Sequence, residues 1–229
     1  GVISHEEGNN NLAETLIRTA ISIDRNIADF HNNLGQVRSA LGNERTAQES
    51  YLRAIEINPC HVKALSNLAG SLRSIGEFSL AIDYAKRAVA MGPSEPSVYI
   101  NLGNALKDIN MTEDAIKAYR HAIKLSPNSA LAHWDLALAL LSTGRLEEGF
   151  KEIMWRWKWN GFTSKARHFD QPRLGDNGNL AVDIKKRKVF LHAEQGIGDT
   201  IQFIRYGSLL RNKGAYVIFE CPTSLEPII

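Results

Sequence analysis

The sequence predicts a mainly α-helical protein: an α-solenoid of repeated helix pairs, followed by the first βαβ unit of an incomplete α/β domain. Three observations lead there. The first is a period of 34 residues, shared by Pro59, Pro93 and Pro127 and by Gly35, Ala69, Gly103 and Ala137. It is shared also by Gly8, Gly42, Gly76, Asn110 and Gly144, by Ala20, Ala54, Ala88 and Ala122, and by Ala13, Ala47, Ala81, Ala115 and Gly149. The second is the helical spacing of apolar residues inside each period. The third is a change of pattern after residue 187, where two short apolar runs flank a glycine-bearing loop and an amphipathic stretch.

The residue types within the period 28–61 show how a unit is built. A first helix, A, carries Leu34, Gly35 and Leu41, and Gly42 closes it where a left-handed residue is tolerated. A second helix, B, carries Ala47, Tyr51, Ala54 and Ile55 on one stripe. Pro59 then breaks the chain before the next unit. Small residues in the Gly35 and Ala54 series let the two helices approach closely. The full units are 28–61, 62–95 and 96–129. Residues 1–27 read as the tail of an earlier unit, so the chain is expected to be a fragment that starts inside a repeat. Residues 130–159 read as a last pair whose second helix runs into Trp155, Trp157 and Trp159. These indoles are expected to cap the open end and to pack against the domain that follows. The solenoid domain is therefore 1–159, a linker covers 160–187, and the α/β segment covers 188–229.

Composition excludes several functions. Net charge is only +2, which gives no general case for nucleic acid or a membrane surface. The positive charge is concentrated in residues 151–190, with 10 Lys and Arg against 4 Asp and Glu, and Lys185-Lys186-Arg187-Lys188 reads as a solvated lead-in to a strand. No apolar run approaches the ~20 residues of a membrane span, and the N-terminus lacks the order of a signal peptide. Cys60 and Cys221 lie in different domains, which suits a reducing cytoplasm, and neither has a CxxC partner. The seven histidines are scattered, so neither a metal nor any other cofactor is expected.

Unit length, small-residue positions and terminal proline together resemble the tetratricopeptide-repeat (TPR) family. The aromatic residue usual early in helix A is kept at Tyr99 and replaced at His31, Leu65 and His133. The resemblance implies a superhelix whose inner face is lined by the A helices and binds polypeptide. Position six of helix A gives Asn33, Asn67, Asn101 and Asp135. This ladder resembles the one in the TPR part of protein O-GlcNAc transferase and implies recognition of an extended chain through its backbone, since an Asn amide both donates and accepts. A ladder of consensus surface residues without function is the competing reading. The two-carboxylate clamp of co-chaperone TPRs needs several inner cations. The matching positions Asp29, Asn32, Gln36, Lys63, Ser66, Gly70, Ser97, Ile100 and Asn104 supply only Lys63.

In the α/β segment, Lys188–Ala193 and Ala215–Glu220 read as parallel strands. The loop Glu194–Asp199 and an amphipathic helix over 199–212, ended by Gly214, join them. The stretch from His192 through Gly196-Ile-Gly198-Asp199-Thr200 to Tyr206, after Trp-Arg-Trp and the Phe169-Asp-Gln-Pro172 linker, resembles bacterial proteins in which TPRs are fused to a glycosyltransferase-like domain. That domain is similar to the heptosyltransferase group of two-lobed, Rossmann-like (GT-B) transferases. Leu174 departs from the aromatic expected after the linker proline. The resemblance implies an acceptor loop of Glu194, Gln195, Gly196, Gly198 and Thr200, with Asp199 as candidate general base and His192 as a second, and a nucleotide sugar bound only by the full-length parent. The residues themselves also allow Asp199 to be a helix N-cap with Gln202 at the third helical position. A scaffold without enzymatic activity is the alternative function.

Overall fold

The structure is a computed structural model. It describes residues 1–162, 167, 169–171, 174, 183–193 and 196–225. The chain divides into two compact units, Gly1–Trp159 and Asn160–Ile229.

The first unit consists of helices alone among the described residues. Its A helices are α1 (Val2–Glu6), α3 (Ala28–Ala40), α5 (Val62–Ser74), α7 (Pro96–Asp108) and α9 (Ala130–Ser142). Its B helices are α2 (Asn10–Ile23), α4 (Glu44–Ile57), α6 (Phe78–Met91), α8 (Thr112–Leu125) and α10 (Leu146–Glu152). From α2 onward every start repeats after 34 residues. Each A helix packs on its own B helix, each A helix from α3 to α7 also packs on the A helix of the next repeat, and each B helix packs on the following A helix. The result is a TPR solenoid of sequentially stacked pairs whose main core buries Tyr51, Leu65, Leu68, Ile116, Tyr119 and Leu140.

The periodic residues each have a local task. Gly8, Gly42, Gly76, Asn110 and Gly144 all have φ between 63° and 85° and turn helix A into helix B. The Gly103 position is a close approach: a Cβ there would lie 2.5 Å from Cε1 of Tyr119, a ring that is fully buried. Gly35 meets Tyr51 in the same way. In the intervening repeat the two matching positions are Ala69 and Ala85, both buried, so a large residue in helix B accompanies a missing Cβ in helix A.

The position where the family places an aromatic closes three of the four loops between repeats. Tyr99 donates its hydroxyl to the Pro93 carbonyl at 3.0 Å. His133 Nε2 bonds the Pro127 carbonyl at 2.9 Å and His31 Nε2 the Arg25 carbonyl at 2.9 Å. Histidine thus keeps the polar half of tyrosine's role. Leu65 cannot, and in that repeat His61 instead bonds Asp29 at 3.2 Å and accepts from Ala64 N.

The end of this unit departs from the expected full-length B helix. After α10 the chain tightens into a 3-10 segment, Ile153–Lys158. With three residues per turn, Trp155 aligns with Lys158, whose Nζ lies 4.0 Å from the ring centroid, and not with Trp159. Two indoles fold back on α9. Trp155 stacks on His133 with centroids 4.0 Å apart, and Trp159 on Trp134 at 5.8 Å. His133 Nδ1 also meets the Glu152 carboxylate.

In the second unit β1 (Lys188–His192) and β2 (Tyr216–Glu220) pair in parallel, with Lys188 opposite Tyr216 and His192 opposite Glu220. Helices α11 (Ile197–Phe203) and α12 (Arg205–Asn212) connect them. Alternation sends Val189, Leu191, Val217 and Phe219 to one face, on which Gly207 of α12 rests against Leu191 and Val217. The other face carries Phe190 and His192, and here the segment read as a linker contributes. Phe169 lies 5.6 Å from Phe190 and 5.4 Å from His192, and Arg167 forms a two-pronged ion pair with Glu220.

Candidate functional site

The A-helix face of the first unit offers the more fully described site. Asn33, Asn67 and Asn101 sit on α3, α5 and α7, one repeat apart, and all three are half-buried. Their amides are not independent. Asn67 donates from Nδ2 to Asn32 Oδ1 at 2.9 Å, and Asn101 donates to Ser66 Oγ at 2.7 Å. Asn32 in turn donates to Asn33 Oδ1 at 3.4 Å. Each of the first two bonds runs from position six of one A helix to position five of the preceding one. The partners Asn32 and Ser66 are buried. In the sequence both residues stand out only as positions that fail to make a carboxylate clamp, and their 34-residue spacing is the signal that points to this role.

Asp135 occupies the same register on α9 in a different environment. Its residue is 7 % exposed, and its Oδ2 has no hydrogen-bond partner among the described residues. The position-five residue before it is Ile100, whose side chain can neither donate to the carboxylate nor accept from it. Burial pushes the Asp135 carboxyl above its usual range, against Lys107, the Asn104 amide and Arg73, which pull it down. Asn104 also accepts the Tyr119 hydroxyl at 2.8 Å. Burial, with the negative charge of Asp135 and Asp108, raises that phenol well above its ordinary value.

The second candidate site lies at the carboxyl end of β1. Glu194 and Gln195 fall outside the described residues. Gly196 takes φ 54° and is the N-cap of α11, so the helix starts at Ile197. Asp199 is therefore its third residue, and the N-cap assignment with Gln202 as its partner is corrected. The left-handed glycine makes the turn, and Thr200 anchors it by donating from Oγ1 to the Gly196 carbonyl at 3.0 Å. Asp199 is exposed, and its carboxylate lies over Gly196, where a Cβ would come within 3.2 Å of Oδ2. Gly198 is the second residue of α11. His192 is half-buried beside Phe190 and Phe169, with no hydrogen-bond partner for Nδ1 among the described residues. Among the described residues no three His, Cys, Asp or Glu side chains could share a metal ion, and no helix is long and apolar enough to cross a membrane.

Comparison with known proteins places the repeats. Residues 32–96 match a family model described as tetratricopeptide repeat, and residues 103–144 match one described as TPR repeat. These stretches thus carry TPR repeats, and neither reaches the α/β unit. No curated protein matches the chain. Among solved structures, MamA is similar at 23% identity, over 66% of this chain and 89% of that one, with a TM-score of 0.58. PilF of Pseudomonas aeruginosa is similar at 20% identity, over 67% and 70%, with a TM-score of 0.62. YrrB, described as a TPR protein with an unusual peptide-binding site, is similar at 16% identity, over 67% and 79%, with a TM-score of 0.53. At these identities the likeness concerns the fold. The repeats make protein or peptide interaction the general role.

Proposed function

We propose that the repeat unit holds an extended polypeptide along its A-helix face, with Asn33, Asn67 and Asn101 as the residues that meet its backbone; Asp135, at the same register, is buried. The observation that carries this is the set of three half-buried asparagine amides at one register on successive A helices. A peptide in extended conformation presents backbone N–H and C=O groups repeatedly, and an amide that gives and accepts complements both. Such recognition is indifferent to most side chains. Cation-based capture of an acidic terminus has no support here, because Lys63 is the lone basic residue among the inner positions compared.

The test uses peptides selected from a random dodecapeptide library on the 229-residue chain. The triple variant Asn33→Ala, Asn67→Ala, Asn101→Ala should lose about 0.5–1.5 kcal/mol of binding free energy per removed hydrogen bond. That is roughly tenfold to a thousandfold in total. Unchanged affinity would reject the reading, as would a library that yields no binder.

A fuller form of the proposal assigns the bound polypeptide as the acceptor for sugar transfer in a longer parent protein. Its support is the Gly196-Ile-Gly198-Asp199-Thr200 sequence at the carboxyl end of a parallel strand, the end where ligands bind in open α/β sheets. Asp199 would be the general base, its carboxylate unused as a helix cap. His192 is the second candidate, and Glu194 and Gln195 complete the acceptor loop by resemblance. The nucleotide sugar would be held by the parent. In that parent Asp199→Asn should lower transfer to a bound peptide roughly a hundredfold or more; full activity of the variant would remove Asp199 from the chemistry and leave the scaffold function.

A further inference from the structure

We propose that Asn32 and Ser66 are positioning residues that lock the peptide-reading amides of Asn67 and Asn101, and that the reading ladder ends at the third repeat, excluding Asp135. The inference rests on the polypeptide-binding reading above and gives it a mechanism.

An asparagine on a helix surface has two free side-chain torsions, and holding such a side chain costs roughly two- to tenfold in affinity. A ladder of free amides would bear that cost at every rung. Here it has been met in advance at two rungs. One Nδ2 hydrogen of Asn67 is committed to Asn32 Oδ1 at 2.9 Å, and one of Asn101 to Ser66 Oγ at 2.7 Å. The acceptors cannot swing away: Asn32 is 1% exposed and Ser66 5%. Asn32 is fixed further by its own bond to Asn33. Each locked amide retains one Nδ2 hydrogen and its Oδ1, a donor and an acceptor held side by side in one plane, which suits the paired N–H and C=O of an extended backbone.

The relay stops between the third and fourth repeats for a chemical reason. Ile100 stands where Asn32 and Ser66 stand in the earlier repeats, and it packs with Ala122 and Ala132. Asp135 has no amide hydrogen to donate, and its Oδ2 is enclosed. A carboxylate held that way reads neither group of a passing peptide.

The experiment follows two readouts on the whole chain. The first needs no ligand: the side-chain amide resonances of Asn101 in a nitrogen–proton correlation spectrum, which report whether its Nδ2 is hydrogen-bonded. Ser66→Ala should move them toward free-amide positions, and Ser66→Thr, which keeps the hydroxyl, should restore them. The second is affinity for a library-selected dodecapeptide. Ser66→Ala should weaken it roughly two- to tenfold, Ser66→Thr should recover it, and Asp135→Asn should leave it unchanged. Displaced Asn101 resonances with unaltered affinity in Ser66→Ala, while Asn101→Ala still loses binding, would overturn the positioning role. A loss of affinity in Asp135→Asn would overturn the three-rung limit. If Asn101→Ala and Asn67→Ala both bind normally while the resonances respond as expected, the lock is real, the polypeptide-binding reading is wrong, and this proposal falls with it.

Discussion

Replacing Gly103 by alanine should destabilise the solenoid although alanine is the better helix former. The substitution removes a helix-interior glycine, which by itself is worth about 1 kcal/mol in favour of alanine. The added Cβ, however, would lie 2.5 Å from Tyr119 Cε1, 2.8 Å from Cδ1 and 2.9 Å from Cζ. Comfortable carbon–carbon contact begins near 3.5 Å, so helices α7 and α8 must part by about 1 Å or the ring must turn. The ring is fully buried and its hydroxyl is bonded to Asn104, so turning it is closed off. Overpacking of this kind costs typically 1–3 kcal/mol, and a clash this deep belongs at the upper end, leaving a net loss of about 1–2 kcal/mol. Tyr119→Ala alone should cost about 3–5 kcal/mol by cavity formation. In that background Gly103→Ala should become stabilising by about 0.5–1 kcal/mol, which gives a coupling of about 1.5–3 kcal/mol. Urea unfolding followed by helical circular dichroism measures all four proteins. Equal effects of Gly103→Ala in both backgrounds, or a stabilised single variant, would refute the compensation between the missing Cβ and the tyrosine.

Other outcomes follow from the same geometry. Asp135→Asn should raise stability at neutral pH by of order 1 kcal/mol, because a buried charge with one unpartnered oxygen is removed. The folded-state pKa of Asp135 lies above its unfolded value, so the native state holds its proton more tightly, and stability from this group is present at low pH and lost as pH rises. The advantage of the Asn variant should therefore vanish as pH falls below the ordinary Asp value of about 3.9, and pH-resolved denaturation will show a flat difference if the carboxylate is in fact compensated. Asn110→Ala, at φ 63°, should cost about 1–2 kcal/mol, whereas Asn110→Gly should be neutral or stabilising in thermal melts. Trp155→Ala should strip the stacking partner of His133 and cost about 2–4 kcal/mol, read as faster amide exchange confined to α9 and α10.

The repeats were legible to an unusual degree because every unit solves the same packing problem. A left-handed turn admits Gly or Asn, a helix crossing admits Gly or Ala, and a chain break favours Pro, so the residue types name the geometry. What stayed hidden was of two kinds. The bonds from Asn67 to Asn32 and from Asn101 to Ser66 join residues 35 apart, and only the stacking of repeats brings them together. The second kind was local but decided elsewhere. Asp199 has the chemistry of an N-cap, yet Gly196, three residues earlier, can take a positive φ and starts the helix first. The 3-10 tightening at Ile153–Lys158 was likewise invisible, since tryptophan and arginine suit an α-helix equally well. The packing of Phe169 onto the sheet could not be seen in a stretch whose composition resembles a connector.

Because α4, α6, α8 and α10 begin at residues 44, 78, 112 and 146, whole repeats are interchangeable at the gene level. Excising residues 62–95 in frame would bring Asn101 to the place of Asn67, opposite the waiting carbonyl of Asn32, and would leave both Gly–Tyr crossings intact. Duplicating the same segment would lengthen the face by one step without a new loop, turn or cap. The length of that face is thus a copy number, adjustable by recombination in whole steps, whereas one or two residues inserted inside an A helix ahead of its asparagine would turn that asparagine to the wrong side.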